Sequence, residues 1–196
     1  MTSPARYKEA KYEEVPQQIR DLFEKIPETR KGLFIHGDVG TGKTHIAYAL
    51  KDAWERPVER TRANLHEGIQ EKYMHTRRAL FWNTTELLRS IKGDFDRQPA
   101  EKERAEERIM EHQGLLFLDD VGSERMSEWV AETFYLIINS RYNRMLPTIY
   151  TSNFGVADLA ERIGDRTVSR IVGSSDVVEL QGADRRITSN KITIKL

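Results

Sequence analysis

Gly32-Leu-Phe-Ile-His36 runs directly into Gly37-Asp38-Val39-Gly40-Thr41-Gly42-Lys43-Thr44, and this junction decides the fold. The apolar run, the glycine-rich turn and then Ile46, Ala47, Leu50 and Trp54 at helical spacing, up to the interruption at Pro57, read as strand, loop and helix. The loop fits G-x-x-x-x-G-K-[ST] at every position, and a strand before it with a helix after it is the context that makes the pattern a phosphate-binding loop. Its glycines let successive backbone N–H groups turn inward around a phosphate, and the helix N-terminus adds the positive end of its dipole. Lys43 supplies a point charge for the β- and γ-phosphates, and the Thr44 hydroxyl is a ligand for Mg²⁺. A glycine-rich turn that bound nothing would require neither.

A phosphate loop needs a carboxylate at the end of a neighbouring strand. Leu115-Leu-Phe-Leu118 is unbroken apolar sequence, as expected of a strand buried on both faces, and it ends in Asp119-Asp120. Strands of a parallel sheet deliver residues to the crevice at their carboxyl ends, so Asp119 is the metal-side carboxylate and Asp120 the group that orients and deprotonates a water. A pair of turn aspartates before Gly122 is the plainer alternative, and the preceding loop motif argues against it. A guanine site would need Asn-Lys-x-Asp, but Asn190-Lys191 continues into Ile192-Thr193, so ATP is the expected nucleotide.

The rest of the chain supports an α/β fold with a parallel five-stranded sheet between helices and no separate lid. Ala79–Asn83, Leu115–Leu118, Pro147–Ser152 and Val177–Leu180 read as further strands. Helices are expected from Thr85 to about Lys92, over residues 127–146, and from Asp158 to Ile171 with a break near Gly164. Residues 1–30 form a short lead-in and 31–196 the ATPase domain. Two polar stretches, 55–78 (an insertion) and 94–112, carry both signs of charge and read as solvated helix or loop. The 196 residues hold 31 basic and 31 acidic side chains, so any nucleic-acid surface must be local. With no cysteine, disulfides, thiolate catalysis and cysteine-ligated zinc are excluded. No apolar stretch approaches the ~20 residues that span a bilayer, so a cytoplasmic location without membrane contact is expected.

Several blocks together resemble the DnaC/DnaI/IstB branch of AAA+ ATPases: the loop 37–44, Leu115–Gly122, Tyr135–Arg144 with Leu146–Asn153, Leu159–Ile171 and Val177–Arg186. The resemblance covers roughly residues 30–186. It implies an ATP-driven oligomer that assembles on single-stranded DNA and loads a replicative helicase of the DnaB kind in DNA replication, or assists a transposase. It also implies roles for particular residues. Asn153 falls where such proteins carry a polar sensor of the γ-phosphate and attacking water; an asparagine closing a turn before Gly155 is the alternative. Arg170, four residues after Arg166 on one helix face, matches the arginine offered in trans to a neighbouring subunit's ATP, with Arg166 second; both could instead pair with Glu161 and Asp165 on the surface. The helix Glu86–Phe95 occupies the single-strand-binding position, with Arg89, Lys92 and Phe95 as candidate contacts, although a solvated amphipathic helix would look the same. Related loaders usually carry an N-terminal helicase-gripping domain, so the partner contact falls either to the insertion 55–78 or to a different partner. A nucleotide-ordered scaffold that does not hydrolyse is an alternative that intact Asp119, Asp120 and Asn153 oppose. A small-molecule kinase is a third, for which no lid-like arginine cluster is evident.

Overall fold

The computed structural model describes residues 4–64, 69–95, 105–182 and 193–195. Its frame is a sheet ordered β4-β5-β6-β1-β7-β8, from β1 (Gly32–Gly37), β4 (Ala79–Asn83), β5 (Leu115–Asp119), β6 (Thr148–Ser152), β7 (Ser175–Gln181) and β8 (Thr193–Lys195). Five strands run parallel as expected. The sixth, β8, adds an antiparallel edge beside β7. Parallel pairing brings the carboxyl ends of β1, β4, β5 and β6 to one rim.

Alternation along β1 explains the layers. Leu33 and Ile35 enter one core with α1 (Gln17–Thr29) and α2 (Lys43–Trp54), whereas Phe34 enters the other. That second face is covered by α3 (Thr84–Phe95), α4 (Ala105–Glu111), α5 (Glu128–Asn143), α6 (Val156–Ile163) and α7 (Asp165–Gly173). Every residue of β5 and β6 is buried, the consequence of covering both faces. The lead-in contains α1, whose Ile19, Phe23 and Ile26 pack beneath the sheet. Ser127 caps α5 by accepting the Val130 N–H at 3.3 Å.

The insertion departs from its expectation. Its described residues 58–64 and 69–75 are neither helix nor loop but the antiparallel strands β2 (Val58–Asn64) and β3 (Ile69–His75), paired with each other. A mixed-charge pattern without alternation does not advertise such a ladder. Its base is fixed to the core: Trp54 Nε1 donates to Arg78 O (3.3 Å), the Ala79 N–H to Glu55 Oε1 (3.3 Å), and the Arg77 guanidinium lies 4.6 Å from the Trp54 ring. In the second polar stretch, 105–111 is a helix that buries Ala105 and Ile109, and 96–104 lie outside the described residues.

Arg141 joins elements on the α3–α7 side. Only 1% exposed, it donates to the carbonyls of Ile109, His112, Gly114 and Pro147 and to Thr148 Oγ1 at 2.8–3.2 Å. No helix among the described residues is long and apolar enough to cross a membrane.

Candidate nucleotide site

The phosphate loop lies where β1 hands over to α2. Gly37 has φ +147°, and a Cβ there would stand 2.1 Å from Leu180 O, so only glycine lets β1 approach β7 at this point. Gly40 and Gly42 also take positive φ and shape the turn. The Thr41 hydroxyl closes it on Asp38 O at 2.8 Å, and Val39 at its tip is 56% exposed. The Lys43 ammonium donates to Gly37 O and Asp38 O, each at 2.7 Å, which holds its charge inside the loop.

The two aspartates line the cleft beside this loop, Asp119 as the last residue of β5 and Asp120 just beyond it. Thr44 Oγ1 donates to Asp119 Oδ1 at 3.0 Å, and Thr151 Oγ1, on β6, donates to the same oxygen at 2.6 Å. Asp119 is 5% exposed. Burial raises its pKa above the usual carboxylate value, Thr151 and Thr44 pull it down through their hydrogen bonds, and the neighbouring Asp120 pushes it up. Thr44 and Asp119 could hold a small hard cation. Their oxygens are separated by 3.0 Å, close to the ~2.9 Å between adjacent ligands of an octahedron with 2.0–2.1 Å bonds.

Asp120 has φ +64°, outside the strand. Its N–H donates to Thr151 Oγ1 at 2.9 Å and its carboxylate accepts from Asn153 Nδ2 at 2.7 Å. Asn153 thus lines the same cleft as Asp120 and is bonded to its carboxylate. Thr84, the fully buried first residue of α3, donates toward Asp120 O at 2.9 Å and Asp119 O at 3.2 Å, tying that helix to the aspartate loop.

A cleft of about 910 Å³ extends from Lys43, Thr44, Asp119 and Asn153 toward an aromatic wall. Tyr7 stacks on Tyr48 (4.7 Å between centroids) and Tyr48 on Phe81 (4.0 Å). Burial, with Asp119 nearby, lifts the Tyr48 phenol to about 12, so it stays neutral. Sequence reasoning missed Thr84, Thr151 and this wall. It also missed Glu124, 8% exposed, whose Oε2 accepts the Gly122 N–H at 3.1 Å. Burial is the main cause that raises the Glu124 pKa.

The arginines lie elsewhere on the molecule. Arg170 is committed to its own subunit: Nε donates to Asn139 Oδ1 at 2.7 Å, Nη1 to Arg166 O at 2.9 Å, and the guanidinium lies 5.0 Å from the Tyr135 ring. Arg166 is exposed. Neither lines the cleft, and among the described residues neither forms an ion pair with Glu161 or Asp165. Arg89 and Lys92 are exposed on α3, opposite buried Leu87, Leu88 and Ile91; the side chain of Phe95 lies outside the described residues.

A glycine-rich loop between β1 and α2, a carboxylate pair at the end of β5 and an asparagine just after β6 define a P-loop nucleotide-binding protein with the AAA+ sheet. The match to the profile of IstB-like ATP binding proteins over residues 15–192 places the chain in that family. Among curated relatives, the replicative helicase loader DnaI of Bacillus subtilis is 24% identical over 185 residues, 87% of this chain and 53% of that protein. The insertion sequence IS21 putative ATP-binding protein of Pseudomonas aeruginosa is 25% identical over 177 residues, 84% of this chain and 56% of that one. The chain thus spans about half the length of the curated relatives it matches. The crystal structure of the DnaC helicase loader superposes with TM-score 0.70 and 29% identity, covering 89% of this chain and 98% of that one. That of DnaI gives 0.66 and 23% identity over 95% of each chain, a likeness of fold.

Proposed function

We propose that this chain, with residues 31–196 as its ATPase domain, is an Mg²⁺-dependent ATPase that assembles on single-stranded DNA and loads a replicative helicase. The observation that carries the reading is the joint placement of Thr44, Asp119, Asp120 and Asn153 around one cleft. Lys43 neutralises the β- and γ-phosphates. Asp120 accepts a proton from the attacking water, and Asn153 holds both the carboxylate and the terminal phosphate in register. A magnesium ion held by Thr44 and Asp119 would add charge neutralisation at the phosphates. Arg170, or Arg166, acts across a subunit boundary on the neighbour's γ-phosphate. For Arg170 this requires release from Asn139 on assembly. Arg89 and Lys92 contact the DNA backbone through α3, with Phe95 stacking on a base. Similarity to the IS21 protein supports a second reading, an ATPase that assists a transposase.

Phosphate release measured with and without single-stranded DNA tests the proposal. Wild type should turn over ATP faster with DNA, and Lys43→Ala should lose both ATP affinity and turnover while keeping its fold. Wild-type ATP affinity in Lys43→Ala would refute the phosphate-loop assignment. Loading of a DnaB-like helicase onto single strands, set against stimulation of a transposase, separates the two readings.

A further inference from the structure

The loop that carries Asp120 is gripped from outside by a residue with no part in the site. Two of its residues, Asp120 (φ +64°) and Gly122 (φ +87°), are left-handed, so its course is sharply fixed. Its inner side is tied to β6 by the Val121 N–H on Thr151 O (2.8 Å) and by Ser152 Oγ on Val121 O (2.7 Å). Its outer side is held by Arg162 of α6, which donates from Nε to Gly122 O at 2.6 Å and from Nη2 to Glu124 O at 3.4 Å. The same guanidinium lies 4.3 Å from the ring of Phe154, the residue after Asn153.

The loop is also pressed onto α6. A Cβ at Gly122 would stand 2.7 Å from Leu159 Cδ1 and 3.2 Å from the Phe154 ring. Inside it, the buried Glu124 carboxylate accepts the Gly122 N–H at 3.1 Å and closes the turn from within. Arg162 bonds the main chain of this loop, so any shift of the loop draws on α6.

Helix α6 passes into α7 through Gly164 alone. The Gly164 N–H reaches Ala160 O at 2.9 Å, Gly164 O accepts from the Thr167 and Val168 N–H groups at 3.1 and 3.2 Å, and Leu159, Ile163, Val168 and Ile171 share one buried cluster. The two helices therefore form one packed unit, whose second helix carries Arg166 in its first turn and Arg170 in its last.

We propose that Arg162 is a positioning residue that couples the Asp120 loop of each subunit to the arginine-bearing helix which that subunit offers to its neighbour. This rests on the reading of α7 as the trans-acting element. A loop in place for hydrolysis holds α7 in place for the next site, and a loop that shifts withdraws it. The coupling has a contiguous physical path, Asp120 loop to Arg162 to α6 to α7, and is open to direct measurement.

The test mixes wild-type subunits with an excess of hydrolytically silent Asp120→Asn donors on single-stranded DNA, so that all turnover comes from wild-type sites served by donor arginines. Donors carrying Asp120→Asn with Arg162→Gln should lower turnover per wild-type site by about fivefold or more relative to Asp120→Asn alone, the usual lower range of inter-site coupling. Arg162→Lys keeps the charge but loses the fork, so it should act in the same direction. Melting midpoints and assembly mass of the donors, matched to Asp120→Asn, distinguish this from a folding defect. If both Arg162 donors serve wild-type sites as well as Asp120→Asn does, while an Asp120→Asn/Arg170→Ala/Arg166→Ala donor fails to, the coupling role is refuted and the trans arrangement stands. If the arginine-free donor also makes no difference, the trans arrangement itself is wrong and the proposal falls with it.

Discussion

Replacing Asp119 with Asn should stabilise the ligand-free protein while abolishing the proposed hydrolysis. The carboxylate is 5% exposed, and its side-chain partners are the Thr44 and Thr151 hydroxyls at 3.0 and 2.6 Å. A hydrogen bond to a charged group contributes roughly 1.5–3 kcal/mol, against several kcal/mol for taking an ion out of water. Burial is the largest influence on this group and its pKa is raised, so desolvation outweighs the two hydroxyls. An amide of the same shape keeps an acceptor for Thr151 and removes the charge, a gain on the order of 1–2 kcal/mol at neutral pH. At about 2–4 °C per kcal/mol for a chain of this size, the melting midpoint should rise by ~2–8 °C. Because the folded-state pKa is raised, the folded protein holds this proton more tightly than the unfolded chain. Wild type therefore loses stability as pH climbs from the unfolded value through the folded one. The gap between variant and wild type should be small near about pH 4 and widen toward neutrality. Circular-dichroism melts in chelator across this range measure it directly. A variant less stable than wild type at neutral pH, or a gap independent of pH, would show that the hydroxyls and Lys43 already compensate the charge.

Asp120→Asn keeps the contact with Asn153 but loses the proton acceptor, so ATP should still bind while turnover falls about 10²-fold or more; unchanged turnover would place the base elsewhere. Arg141→Ala removes the donors to four carbonyls and a hydroxyl, of which only Pro147 O and Thr148 Oγ1 have a further bond, to the Leu116 N–H and Leu146 O, among those described, and it opens a cavity, which should cost about 3 kcal/mol or more in urea denaturation. Arg141→Lys should recover little of it, since one ammonium cannot span the acceptors around the guanidinium; a loss under about 1 kcal/mol in the Ala variant would mean that water satisfies them.

The sequence was most legible where chemistry imposes a fixed local spacing. Loop 37–44 and Asp119-Asp120 each lie on a contiguous run, and their strands follow from apolar segments long enough to be buried on both faces. Helix α1 was also legible in principle, because Ile19, Phe23 and Ile26 repeat at helical spacing, yet a lead-in without a motif draws no such reading. The β2–β3 ribbon is a different case. VERTRAN paired with IQEKYMH has no apolar alternation, the signal by which a half-buried strand is read from sequence. Thr84, Thr151, Glu124 and Arg162 were out of reach for a third reason. Thr84 is 35 residues from Asp119 and Thr151 is 32, so only strand order brings them together, and threonine in a strand or at a helix start is unremarkable.

The two adjacent aspartates can take different roles because the backbone turns between them. Asp119 ends β5 with extended geometry and a buried carboxylate, whereas Asp120 at φ +64° has left the alternation of the strand, so its carboxylate meets Asn153 at the rim. One hydroxyl fixes the relation between them. Thr151 donates to Asp119 Oδ1 and accepts the Asp120 N–H, so the two aspartates, proposed here as metal ligand and base, share a single anchor on β6. Valine would fill the same volume in this fully buried strand and satisfy its β preference equally, yet it would leave an orphaned N–H and a carboxylate short of a donor. The end of β6 therefore changes character along its length. Ile149 and Tyr150 serve the two cores, then Thr151 orients the aspartates, Ser152 ties down Val121 O at 2.7 Å and Asn153 reaches Asp120. Three polar residues in succession at the end of a buried strand would be costly as core. They are stable here because each is bonded to the aspartate loop, and this makes the geometry of that loop a property of the sheet rather than of the loop itself.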